Sequence, residues 1–199
     1  MKNNNATLKL TQLAMLGAII VVMAFTPLGY LKIGLLSVTF LTVPVVIGAI
    51  LIGPAGGAIL GGIFGLTSFF QCLGTDQFGV ALFGINPFYT ALVCIVPRVL
   101  IGVFSGALHK VLNRAGMHSA LSYALSGLLG TVTNTVFFVG GLIVLFGNTE
   151  YIKTNLGDSA WKVISVLVTT NSIIEIVVCT AVITAVSRAC MAIMHRRGK

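Results

Sequence analysis

Charged side chains are nearly absent from six long stretches of this chain, residues of about 8–26, 38–53, 55–72, 87–109, 119–146 and 161–194. A membrane-spanning helix takes about 20 residues, because a rise of about 1.5 Å per residue must cross roughly 30 Å of hydrocarbon. Composition says which solvent these stretches face. Of the 199 residues, 57% are apolar and 8% are charged, and the mean hydropathy is +1.05. Soluble domains carry about 25% charged residues. Too few charges are present to cover a water-facing surface. The expectation is therefore an all-α membrane protein of about six transmembrane helices, folded as a single domain over residues 1–199.

Details of the stretches refine that expectation. The second and third are separated only by Gly53-Pro54-Ala55-Gly56, which predicts a tight turn at the membrane surface. The last is longer than a span requires and is expected to tilt or to emerge from the bilayer. Lys2 and Lys9 ahead of an apolar run imitate a signal peptide, but no small-x-small cleavage site follows. The run reads as a retained first helix.

The formal charge of +8 would suggest nucleic acid in a soluble protein. Here the basic residues sit at helix ends and termini, so they orient the chain. With the N-terminus inside, Lys2, Lys9, Lys110, Arg114, Arg188, Arg196, Arg197 and Lys199 are cytoplasmic. Only Lys32, Lys153 and Lys162 fall in outer loops, with Asp76, Glu150 and Asp158. The asymmetry places both termini in the cytoplasm. Arg98 and Glu175 remain, and both fall within spans.

Small residues are spaced for close helix packing. Gly57, Gly61 and Gly65 form two GxxxG steps, and Gly102 and Gly106 form another. Each leaves a flat stripe on one helix face, across which two backbones approach closely. Cys72, Cys94, Cys179 and Cys190 lie in apolar segments and form no CxxC, so they read as small interior or lipid-facing residues rather than metal ligands.

An arginine inside a span costs at least about 2.5–3.5 kcal/mol, and Arg98 must find a carboxylate, backbone carbonyls, water or an anionic ligand. The preceding Pro97 removes a backbone donor and frees the carbonyl one turn earlier. Two readings of Arg98 are compatible: an ion pair with Glu175, and contact with a ligand. Asn171 and Glu175 are one turn apart and share a face. With Asn134 at similar depth they make a polar layer inside the membrane, serving a ligand or interhelical hydrogen bonding. A third group occupies the outer ends: Tyr30 and Lys32 in the first loop, Gln71 at the end of the third segment, and Asn86 and Tyr89 at the start of the fourth. Amide and aromatic groups there suit a small polar ligand, and equally an interface belt.

The chain contains no GxxxxGK[ST], HExxH or GxSxG. ATP binding through a P-loop is excluded, and an enzyme is not expected.

The order of features resembles a known family. Ala14-Met15-Leu16-Gly17-Ala18 is followed by Pro27-Leu28-Gly29-Tyr30-Leu31-Lys32-Ile33-Gly34, then by Ser37 to Ala49. Gly53-Pro54, the GxxxG ladder, Gly65-Leu66-Thr67-Ser68, Val96-Pro97-Arg98 and Thr133-Asn134-Thr135 complete it. This resembles the substrate-binding S component of an energy-coupling factor vitamin transporter, most closely the pantothenate-type branch. The resemblance implies a six-helix subunit of the bacterial cytoplasmic membrane with a vitamin site near the outer side. It implies that Ala14 and Ala18 dock on a membrane coupling subunit, and that two partner ATPases use the ATP, so that this chain carries no cofactor. In that setting Arg98 pairs with the vitamin carboxylate, Asn134 and Asn171 meet its amide and hydroxyls, and Glu175 orients Arg98. One departure is local: Ser172-Ile173-Ile174-Glu175 has no proline where that branch leads one to expect a Gly-Ile-Pro-Glu-like run. Riboflavin, folate or a pyridoxine-type ligand are alternatives. So is a self-contained secondary transporter, in which an inverted repeat is expected and none is evident.

Overall fold

The computed structural model describes residues 2–26, 29–33, 36–156 and 173–197. In chain order these form α1 (Lys2–Ala24), β1 (Tyr30–Ile33), β2 (Leu36–Thr39), α2 (Thr42–Ile52), α3 (Pro54–Gln71), α4 (Gln77–Ile85), α5 (Pro87–Arg114), α6 (Ser119–Phe146), α7 (Glu150–Leu156) and α8 (Ile173–Arg197). Three of the described helices have the length and apolarity to cross a membrane on their own: residues Ala6–Ala24 of α1, and α5 and α6 throughout. The protein is therefore a helical membrane protein, as composition requires.

The predicted fifth segment coincides with α6. The second does not coincide with its helix. Its first residues belong to a hairpin, β1 pairing antiparallel with β2 in the register Tyr30↔Thr39, Leu31↔Val38, Lys32↔Ser37 and Ile33↔Leu36. Aromatic and β-branched residues favour that pleated surface. What remains, α2, rises about 16 Å at 1.5 Å per residue and is too short to span. It is instead a central strut: every residue from Thr42 to Ile50 is buried. A helix apolar on all sides belongs inside a bundle. The protein is helical among the described residues apart from this one hairpin, which corrects the start of the second segment, while the sixth segment opens outside the described residues.

The predicted turn is present. Gly53 has φ of 107°, a left-handed conformation that favours glycine. Its N–H bonds Ala49 O at 3.1 Å, and Pro54 begins α3, where a missing N–H costs nothing.

The glycine stripes face each other. A Cβ on Gly61 or Gly102 would overlap the backbone carbonyl of Arg98 or Gly57 respectively. A Cβ on Gly65 would stand 2.8 Å from Ile95 Cα, and one on Gly106 2.8 Å from Pro54 Cα. α3 and α5 therefore run antiparallel with their backbones touching, and the two ladders found in the sequence are the two halves of one seam. α1 packs on α3 and α2, α6 on α5, and α8 on α6 and α2. His109 Nδ1 and Ser122 Oγ, 2.9 Å apart, tie α5 to α6 at one end. At the other end the Cys72 and Cys94 thiols meet at 3.6 Å.

Two short helices were not expected, α4 and α7. Asp76 starts α4, its carboxylate accepting from Gly79 N–H at 2.9 Å, which is the usual service of an aspartate at a helix N-cap.

The seam makes a sharp prediction. Gly102→Ala overpacks it and is expected to lower stability by about 1–3 kcal/mol. Gly62→Ala meets nothing within 4 Å and is expected to leave stability unchanged or slightly raised. Thermal unfolding of both variants in detergent, read beside the unaltered protein, checks the pair.

Candidate binding site

Pro97 and Arg98 solve a backbone problem together. In an α-helix the carbonyl of residue 93 accepts from the N–H of residue 97, and proline has none. The freed Val93 carbonyl accepts instead from Arg98 Nη1, at 2.8 Å. The guanidinium is folded back along its own helix and is only 9% exposed. Two aromatic rings cover it: its central carbon lies 4.8 Å from the Phe138 ring centroid of α6 and 5.4 Å from that of Phe64 on α3. Both fall within the range of cation–π attraction. Phe64 is placed by the glycine seam, one turn from Gly61 and beside Gly65.

Asn134 and Phe138 are one turn apart on α6 and share a face. Asn134 Nδ2 donates to Glu175 Oε1 on α8 at 3.5 Å, and each side chain is 6% exposed. One turn further along α8, Cys179 Sγ donates to Thr39 O at the end of β2, at 3.8 Å. The hairpin is thereby fastened to α8, and the Tyr30 backbone, paired with Thr39, comes to the same place.

Arg98, Asn134 and Glu175 thus occupy one interior layer, as their depths in the sequence suggested. The wiring differs from the expected one. Among the described residues no ion pair joins Arg98 to Glu175: the arginine is held by Val93 and two phenylalanines, and the glutamate by Asn134. The reason is reach, since the guanidinium is committed to its own helix. Two buried polar atoms in the layer have no partner, Arg98 Nε and Asn134 Oδ1. One is a donor and the other an acceptor. Unpaired buried groups of this kind are costly, and a ligand bearing an anion and an N–H or O–H satisfies both.

The residues predicted at the outer ends have structural employment. Asn86 Oδ1 accepts from Phe88 N–H at 3.0 Å and Tyr89 N–H at 3.2 Å, capping α5. Its carboxamide oxygen therefore belongs to the helix end, and the Asn-Pro sequence was a readable signal for it. Gln71 Nε2 donates to Ala24 O and fastens α3 to α1. Tyr89 sets its ring edge-on against Phe146, with centroids 6.1 Å apart. Tyr30 and Lys32 lie in β1, and their side chains, like the whole of Asn171, are outside the described residues. Ala14 and Ala18 are both exposed on α1, while Gly17 of the same helix faces Ile63 of α3. Phe64, Phe138 and Thr39 were not identified from the sequence. Only the Asn134–Phe138 spacing hinted at any of them.

A groove of about 550 Å³ on the outside of α6 and α8 is separate. It is lined by Leu128, Ile176, Thr180, Thr184 and Arg188 among others, and by none of the layer's polar groups.

Comparison with known proteins agrees with this architecture. Residues 8–187 match the family described as ECF transporter, substrate-specific component. The chain is 31% identical over 206 residues to a protein of Leuconostoc mesenteroides subsp. mesenteroides named "Pantothenate transporter PanT", covering 98% of each chain. It is 28% identical over 162 residues to the "Pantothenic acid transporter PanT" of Lactococcus lactis subsp. cremoris, covering 76% of this chain and 78% of that one. The chain belongs to the substrate-specific components of the energy-coupling factor transporters.

Proposed function

We propose that this protein is the pantothenate-binding subunit of an energy-coupling factor importer in a bacterial cytoplasmic membrane. The observation that carries the reading is the pair of unpartnered atoms in the buried layer, Arg98 Nε and Asn134 Oδ1. Pantothenate has a single carboxylate, an amide and two hydroxyls. Its carboxylate suits an arginine edge in a dry interior, where charge-assisted hydrogen bonds are strong and directional. Its N–H or O–H groups suit the Asn134 carbonyl oxygen. Glu175 then acts by holding Asn134 Nδ2, which fixes the amide so that Oδ1 is the atom presented. Asn171, four residues before Glu175 in the sequence, is a further contact to the ligand's polar groups in this reading. The relatives named as pantothenate transporters support the choice of vitamin.

The chain in this reading has six membrane segments, the second made of α2 together with the extended residues before it, and both termini in the cytoplasm. Its basic residues are distributed accordingly, and α3 with α5, α5 with α6, and α6 with α8 run antiparallel. Ala14 and Ala18 present a smooth exposed face for the membrane coupling subunit. Two partner ATPases drive the cycle, and ATP is used there rather than in this chain.

Calorimetric titration of the detergent-solubilised chain with pantothenate, beside riboflavin and folate, tests the ligand. Pantothenate is expected to bind, and Arg98→Ala to weaken it about 10- to 150-fold, the equivalent of ~1.5–3 kcal/mol for a hydrogen bond to a charged group. Tight binding of a different vitamin, or undiminished binding by Arg98→Ala, overturns the assignment.

Ala14→Trp and Ala18→Trp test the docking face. Both are expected to bind pantothenate normally while uptake by cells carrying the coupling subunit and ATPases is lost. Normal uptake by both variants would place docking elsewhere.

A further inference from the structure

We infer that Phe138 is a positioning residue that selects for a carboxylate, by holding the Arg98 guanidinium with one edge presented to the ligand. The inference rests on the assignment of pantothenate to this site. A guanidinium is a flat fork with donors around its rim, and it binds a carboxylate in its own plane. Three constraints act on this one. Nη1 is committed to Val93 O at 2.8 Å. Two aromatic rings lie against the guanidinium carbon, Phe138 at 4.8 Å and Phe64 at 5.4 Å from their centroids. Nε is buried with no partner. The edge that carries Nε is what remains for an incoming oxygen.

Phe138 is the element of this arrangement that can be altered with the smaller disturbance, since it is only half-buried and packs on the outside of an apolar cluster. Phe64 is fully buried beneath the glycine seam, whereas Phe138 is half-buried. It also stands on the same face of α6 as Asn134, so one helix supplies both the ring that steers the cation and the carbonyl that meets the ligand's donor. Replacing the ring by an aliphatic side chain keeps the apolar surroundings but removes the negative π-face. The guanidinium is then free to turn about its bond to Val93, and the in-plane approach of a carboxylate loses its pre-set direction. A ligand without a carboxylate has no such approach to lose.

The experiment compares pantothenate with pantothenol, in which a hydroxyl replaces the carboxylate. Affinities are measured by direct titration for pantothenate and by displacement for the alcohol. Phe138→Leu is expected to weaken pantothenate about tenfold and to leave pantothenol unchanged, and Phe138→Tyr, which keeps the ring, is expected to restore pantothenate binding. Equal weakening of both ligands by Phe138→Leu, or failure of Phe138→Tyr to restore binding, reduces the residue to packing and overturns the inference. So does unchanged pantothenate affinity in Phe138→Leu. Failure of the unaltered protein to bind pantothenate is a different result, and removes the site assignment together with this consequence of it.

Discussion

A guanidinium held inside an apolar bundle is the constraint around which the rest of this structure is arranged. Placing Arg98 within the bilayer costs at least about 2.5–3.5 kcal/mol. One hydrogen bond to a charged group contributes about 1.5–3 kcal/mol, and cation–π contacts away from water contribute about 2 kcal/mol each. Together these terms exceed the cost, so Val93, Phe64 and Phe138 jointly hold the arginine, and loss of one ring leaves it tolerated but less fixed in direction. Each comes from a different local cause. Val93 offers its carbonyl because residue 97 is proline. Phe138 comes from α6, which must therefore pack on α5. Phe64 comes from α3, whose approach to α5 is set by glycine.

The glycine seam and the buried layer are consequently one device. Gly61 touches the backbone carbonyl of Arg98 itself, so one of the close contacts between α3 and α5 falls on the residue that carries the cation. Close contact there leaves room for no side chain other than those of the adjacent turns, and Phe64 occupies one of them. On the far side, α8 and the hairpin meet at Cys179 and Thr39. The hairpin is short and its pairing alone would be marginal, so its attachment to α8 gives it a defined position over the layer. A substrate subunit needs an interior that is apolar enough to strengthen a few polar contacts and rigid enough to aim them, and this arrangement supplies both.

Much of this was legible in one dimension. The apolar stretches, the Gly53-Pro54 turn, the two glycine ladders and the similar depth of Asn134 and Glu175 follow from composition and helical spacing. Sequence alone does not separate the uses of a residue type that serves two purposes. Asn86 and Gln71 carry the same amide whether it caps a helix, fastens a backbone or meets a ligand, and chemistry alone does not separate these uses. The start of the second stretch was misread for a related reason: a short apolar run satisfies both helix and strand patterns, and Val38 and Thr39 resolve into a strand only because β1 lies beside them.

What the sequence determined by itself was the solvent, the helical character of the long apolar stretches, and the presence of a cation beside a proline within one of them. These depend on hydrophobicity and on backbone geometry within a few residues, which a chain carries wherever it goes. The tertiary structure decided that the two glycine ladders face each other, that Glu175 holds Asn134 rather than Arg98, and that two phenylalanines from separate helices enclose the guanidinium. Periodicity marks which face of a helix is apolar or small, but it does not name the face on the other side. That choice is made when backbones approach to contact distance, where a single Cβ in the wrong place excludes a pairing.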